Sequence, residues 1–151
     1  MREDGRDNAD GIVQFVCPTC AFSLWLPLVK LKVSVLGLYD DARFPGRCLL
    51  ALNHHVEDFS TIESSIASDF FHDCQKAAQA IEAALNVNRV NVAILGNEVS
   101  HVHFHLIPRR PLDEPIPTRP PWEHPEPKRH LAETERLEIS TRIREELIKR
   151  R

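Results

Sequence analysis

The chain has 151 residues, 42% of them apolar and 27% charged, with a formal net charge of -3. That length suits one domain with a core of its own, and the negative balance excludes a protein that grips nucleic acid by bulk electrostatics. Four cysteines in a chain of this size do not make a secreted disulfide scaffold, so reduced thiols and a cytoplasmic location are expected.

Residues 1–11 are acidic and polar and lack the basic start and apolar core of a signal peptide. A disordered N-terminus is expected there. The most apolar stretch, residues 22–39, is interrupted by Pro27, Lys30 and Lys32, which makes it a poor membrane span. Within it, residues 31–39 are rich in β-formers and partly alternating, which predicts a strand. Turn residues fill 40–46 and a second strand is expected at 47–53, giving a hairpin with a long tip.

A long helix should follow. Ser60 and Glu63 have capping-box spacing. Ile62, Ile66, Phe70, Cys74, Ala77, Ile81 and Leu85 then recur at three or four residues and form one apolar stripe. Cys74 on that stripe, and Cys48 in the preceding strand, read as small core residues. Strands are expected at 90–95 and 101–107, joined by the polar link 96–100. Eight of the eleven prolines lie between Pro108 and Pro127, and such a segment runs extended over the surface. Residues 131–149 predict a closing helix whose narrow apolar edge includes Leu137, Ser140, Ile143 or Arg144, and Leu147.

Side chains alternate across a strand, so His101, His103 and His105 share one face while Val102, Phe104 and Leu106 face the core. Three imidazoles in strict alternation admit two functional readings. They can converge on a catalytic metal, or the middle ring can be a nucleophile toward phosphorus, with its neighbours fixing its tautomer. Cys17 and Cys20 form a C-x-x-C pair, which needs two further ligands to make a zinc site.

Residues 96–109, with the run His101-Val102-His103-Phe104-His105-Leu106-Ile107-Pro108-Arg109, resemble the signature of the histidine triad superfamily. The resemblance extends over residues 12–110, taking in the Phe44-Pro45-Gly46 turn and the segment from Asn53 to Phe59. It implies an α+β fold with an antiparallel sheet of about five strands, one long helix packed on it, and a homodimer. Residues 12–110 would be the histidine triad domain, with the proline-rich tail and closing helix, 111–151, packed on it.

The resemblance also implies an activity and its residues. The enzyme would hydrolyse dinucleoside polyphosphates, of the diadenosine tetraphosphate kind, or nucleoside phosphoramidates, at the α-phosphate through a nucleotidyl-histidine intermediate. His103 would be the nucleophile, His105 the donor to phosphoryl oxygens and His101 a support. Asn97 and Ser100 would contact phosphate or the leaving group, and Asp40 or Asp41 the ribose. Position 47 is Arg where many relatives have His, and Arg47 would act as a phosphate clamp. Nucleotidyl transfer, phosphorolysis or nucleotide binding without turnover remain alternatives. Structural zinc is implied on Cys17, Cys20, His55 and His101, with His54 a rival to His55; Mg²⁺ would serve only as a substrate counter-ion.

Overall fold

The computed structural model describes residues 13–150, so the expectation of disorder at 1–11 lies outside the described residues. Five strands and two α-helices follow in chain order: β1 (Leu26–Lys30), β2 (Ser34–Leu38), β3 (Cys48–Leu52), α1 (Ser64–Leu85), β4 (Arg89–Ala93), β5 (His103–Arg109) and α2 (Glu133–Lys149). The sheet is antiparallel throughout, with strand order β1-β2-β3-β5-β4. The expected α+β architecture is therefore the observed one. Among the described residues no helix is long and apolar enough to cross a membrane.

The two faces of the sheet do different work. On one face Leu36, Leu38, Leu50, Leu52, Phe104 and Leu106 are buried against Phe70, Cys74, Ala77 and Ile81 of α1, and the Phe70 and Phe104 rings meet at 4.6 Å. Ile139, Ile143 and Leu147 of α2 join the same cluster. Burying side chains of this size contributes roughly 1.5–3 kcal/mol each before conformational entropy is subtracted. The opposite face carries the even smaller set Val35, Leu49 and Ala51, covered by Phe15 and Leu24 of the N-terminal segment.

Several local readings are corrected. The strand expected at 31–39 is β2, shortened to Ser34–Leu38 because Leu31 to Val33 turn the chain; the additional strand β1 lies upstream, where Pro27 and Lys30 disguise it. β1 is a sheet edge whose pairing shifts register between Pro27 and Val29, and edges and bulges are where a sheet tolerates proline. The Ser60/Glu63 capping box is not formed. Asp58 instead caps a single 3₁₀ turn, Phe59–Thr61, by accepting from the Ser60 N–H at 2.9 Å, and α1 starts only at Ser64. In α2, Leu137 is 57% exposed and the buried edge runs through Ile139, Ser140, Ile143 and Leu147.

Asp73 interrupts the apolar stripe of α1 and is 2% exposed. It accepts from the N–H of Lys32 at 3.3 Å, the N–H of Val33 at 2.9 Å and the Ser34 hydroxyl at 2.7 Å, so it ties the helix to the β1–β2 turn. Removing a buried carboxylate leaves these donors without partners. Asp73→Ala should lower stability in urea by roughly 2–4 kcal/mol. Asp69→Ala, which breaks only the exposed Lys32 ion pair, should cost less than about 1 kcal/mol. Equal losses in the two variants would remove Asp73 from this role.

Candidate active site

Register places the site. His103 of β5 lies opposite Ala51 and His105 opposite Leu49, on the face away from α1. The strand begins at His103, so His101 stands just before it, held by the Val102 N–H bonding the Val56 carbonyl at 2.9 Å. The three rings still form a row: His103 and His105 centroids are 4.9 Å apart, and Phe22 lies against His101 and His103 at 5.3 and 5.1 Å.

Each ring has one nitrogen tied to the protein. His101 Nε2 donates to the Leu52 carbonyl at 2.7 Å, and His103 Nδ1 donates to the His101 carbonyl at 2.6 Å. A carbonyl can only accept, so both nitrogens carry hydrogen. In the neutral rings the lone pair is therefore at Nδ1 in His101 and at Nε2 in His103. At His105 the partner is the Arg47 guanidinium, 3.1 Å from Nδ1, which can only donate. His105 consequently accepts at Nδ1 and carries its hydrogen on Nε2. Burial, and after it the charges of His103 and Arg47, push the His105 pKa down to about 4.

The free Nδ1 of His101 points at a thiol. Cys17, Cys20, His55 and His101 bring one ligand atom each within 4.8 Å of one another, with Cys17 Sγ to His55 Nδ1 and Cys20 Sγ to His101 Nδ1 both 3.7 Å. Two thiolates and two imidazoles at such separations match the edges of a tetrahedron around one zinc ion. The loop that carries the two cysteines is held by its own backbone. The Cys17 N–H bonds the Phe22 carbonyl at 2.8 Å and the Ala21 N–H bonds the Cys17 carbonyl at 2.9 Å, with Ala21 in the left-handed region at φ 64°. Burial opposes ionisation of Cys17, but the backbone donors of Cys20 and Thr19, the Cys20 thiol and His55 outweigh it and lower its pKa. His55, not the exposed His54, joins the cluster.

A cleft of about 610 Å³ opens beside His103 and is lined by Glu57, Asp58, Phe59, Ile94, Leu95, Gly96, Asn97 and Val102. Asn97 thus shares a cleft with His103, whereas Ser100 is exposed and is not among the lining residues. The hairpin tip differs more from expectation. Asp41 is fully buried, bound by Arg43 and Arg47, and Asp40 accepts from the Leu131 N–H at 2.8 Å and from His130. Arg47 is turned inward, its side chain only 15% exposed. Sequence reasoning missed Phe22, Tyr39 and Arg43; only Arg43, two residues from Asp41 in a turn, carried a visible signal.

A five-stranded sheet with a row of three oriented imidazoles defines a histidine triad protein. The chain belongs to the HIT domain family, whose model matches residues 28–112, more than half its length. A HIT-like protein of Methanocaldococcus jannaschii is 30% identical over 80 residues, which cover 50% of this chain and 62% of that protein. The asymmetrical bis(5'-nucleosyl)-tetraphosphatase of Schizosaccharomyces pombe is 31% identical over 46% of this chain and 41% of its own. The adenosine 5'-monophosphoramidase of Saccharomyces cerevisiae is 31% identical over 55% of this chain and 53% of its own. The matched part thus spans less than two thirds of each of these relatives. Among solved structures, a histidine triad protein of Sinorhizobium meliloti superposes with a TM-score of 0.72 at 23% identity, over 80% of this chain and 87% of that one. A zinc-bound histidine triad protein of Mycobacterium smegmatis superposes with a TM-score of 0.61 at 19% identity, over 82% and 84% of the two chains.

The low His105 pKa fixes a sign. Above the ordinary value of 6.5 the ring is neutral in both folded and unfolded chains. As pH falls towards about 4 the unfolded chain takes up a proton that the folded site refuses, so stability declines over that window. NMR titration should find His105 still neutral at about pH 5, where a free histidine is largely protonated. His105→Asn should remove this part of the pH dependence. A ring titrating near 6.5 would contradict the assignment.

Proposed function

We propose that the protein is a nucleotide hydrolase acting at the α-phosphate through a covalent nucleotidyl-histidine at His103. The observation that carries this reading is the 2.6 Å bond from His103 Nδ1 to the His101 carbonyl, which leaves the lone pair on Nε2 of a ring that lines the cleft. In the first step Nε2 attacks phosphorus and the bond to the leaving group breaks. The leaving group departs as a phosphate anion, or as an amine that has taken a proton from solvent. The positive charge developing on the ring is shared with the Nδ1–H that the carbonyl already holds. In the second step water attacks phosphorus and releases a proton to solvent, the P–Nε2 bond breaks with its electron pair returning to Nε2, and the nucleoside monophosphate leaves with neutral His103 restored. His105, with its hydrogen on Nε2, is the proposed donor to a phosphoryl oxygen through both steps.

The lining of the cleft beside His103 supports one substrate class over the other. Glu57 and Asp58 line it, and its lining includes no Lys or Arg. Carboxylates repel a bare polyphosphate leaving group and attract an amine that departs protonated. This favours nucleoside phosphoramidates; a dinucleoside polyphosphate would need Mg²⁺ to shield it. The Cys₂His₂ cluster is assigned to structural zinc. Cys17, Cys20, His55 and His101 would hold it, pinning the N-terminal segment to the strand that bears His103. The His101 Nε2 bond to Leu52 fits such a ligand, because it fixes the tautomer that exposes Nδ1.

Two measurements test these assignments. Adenosine phosphoramidate and diadenosine tetraphosphate, with and without Mg²⁺, should both release AMP, the phosphoramidate faster when Mg²⁺ is absent. His103→Ala should reduce release by at least about 10³-fold while nucleotide still binds. Turnover that survives in this variant would end the nucleophile assignment. Metal analysis should find one zinc per chain, absent in Cys20→Ser; a metal-free wild type that melts at the same temperature would refute the zinc assignment.

A further inference from the structure

Arg47 does not sit as a phosphate clamp would. One terminal nitrogen of its guanidinium bonds Asp41 at 3.2 Å and the other bonds His105 Nδ1 at 3.1 Å. Its Nε is buried without a partner, and the guanidinium carbon lies 4.2 Å from the centre of the Tyr39 ring. Asp41 is itself oriented by Arg43, which grips both its oxygens, Nε to Oδ1 at 2.9 Å and a terminal nitrogen to Oδ2 at 2.8 Å. The result is a relay from Arg43 through Asp41 and Arg47 to the third histidine.

We infer that Arg47 is a positioning residue: backed by Asp41, it holds His105 as the Nε2–H donor aimed at the phosphoryl group attacked by His103. The inference rests on the proposed hydrolase reading for its purpose, though not for its geometry. A neutral imidazole in water exchanges between two tautomers, only one of which presents a donor at Nε2. A guanidinium at Nδ1 selects that tautomer, because it has nothing to accept a hydrogen with. It also opposes a second proton on the ring. The groups facing His105 otherwise are His103 on its own strand, Leu49 on β3 and Ala93 on β4, so Arg47 is the charged neighbour that decides its state. A planar fork fixed at both ends also sets the ring's angle, which a flexible ammonium does less well.

The test uses the full chain with ring-¹⁵N histidine, in wild type, Arg47→Ala and Arg47→Lys. In the wild type, His105 should show an unprotonated Nδ1 and a protonated Nε2 at neutral pH. In Arg47→Ala the ring should become a mixture of tautomers that takes up a second proton at higher pH. On adenosine phosphoramidate its kcat should fall on the order of 10- to 100-fold with KM little changed, and Arg47→Lys should recover part of kcat. An unaltered His105 tautomer in Arg47→Ala overturns the inference, as does a raised KM at unchanged kcat, which would mark a phosphate clamp. Should the alanine variant not fold, the lysine variant decides by the same tautomer signal, since a single rotating donor holds the ring less firmly. The NMR result needs no substrate. It therefore stands or falls apart from the hydrolase reading, which His103→Ala tests.

Discussion

The chemistry of the histidine face depends on how one nitrogen of each imidazole is tied down. Leu52 takes a hydrogen from His101, the His101 carbonyl takes one from His103, and Arg47 gives one to His105. Three identical side chains thereby acquire three different free nitrogens. His101 offers a lone pair next to Cys20, His103 a lone pair at Nε2, and His105 a hydrogen at Nε2. Two of the three partners are backbone carbonyls, one at the end of β3 and one on the histidines' own segment, so the backbone fixes the tautomers of His101 and His103, while a side chain, Arg47, fixes that of His105.

The pairing of β3 with β5 is secured from the other side of the sheet. Val102, Phe104 and Leu106 are buried in the α1-facing core, and a one-residue slip of β5 would put imidazoles there instead. The penalty for burying three polar rings without partners keeps the register unique. On the histidine face, the N-terminal segment seals what the helix cannot reach. Phe15 and Phe22 pack on His101, and Phe22 on His103, so the same segment that brings Cys17 and Cys20 also dries the rings beside them.

The alternation of His101 to Leu106 was legible because period-two patterning reports directly on which face is buried. The α1 stripe was legible for the equivalent reason at a helical period. β1 was not, because Pro27 and Lys30 are acceptable only at an edge, and edges are assigned by tertiary context. The start of α1 was also hidden: Asp58 caps a separate 3₁₀ turn through the Ser60 N–H, and the helix begins behind Glu63 with no side-chain cap to mark it. Among site residues, the C-x-x-C pair with His55 and His101 could be assembled by resemblance. The inward turn of Arg47 could not, since it depends on Asp41 being sealed beneath the tip.

What seals that tip is the tail. Arg43 donates to the Glu126 carbonyl at 2.9 Å, the Ala42 N–H to the Arg129 carbonyl at 2.8 Å, and Lys128 to the Tyr39 hydroxyl at 3.1 Å. Asp40 is held by Leu131 and His130 from the same stretch. The proline-rich run delivers these residues because it cannot fold into helix or central strand and so must travel extended across the surface. It ends where α2 anchors in the α1 core. The hairpin tip that carries Asp41, Arg43 and Arg47 is thus clamped between the sheet and a strap from the far end of the chain. A carboxylate buried between two guanidiniums has lost its hydration, so it depends on every partner staying in place. The tail therefore bears on His105 without touching it, by preserving the ion cluster that orients Arg47.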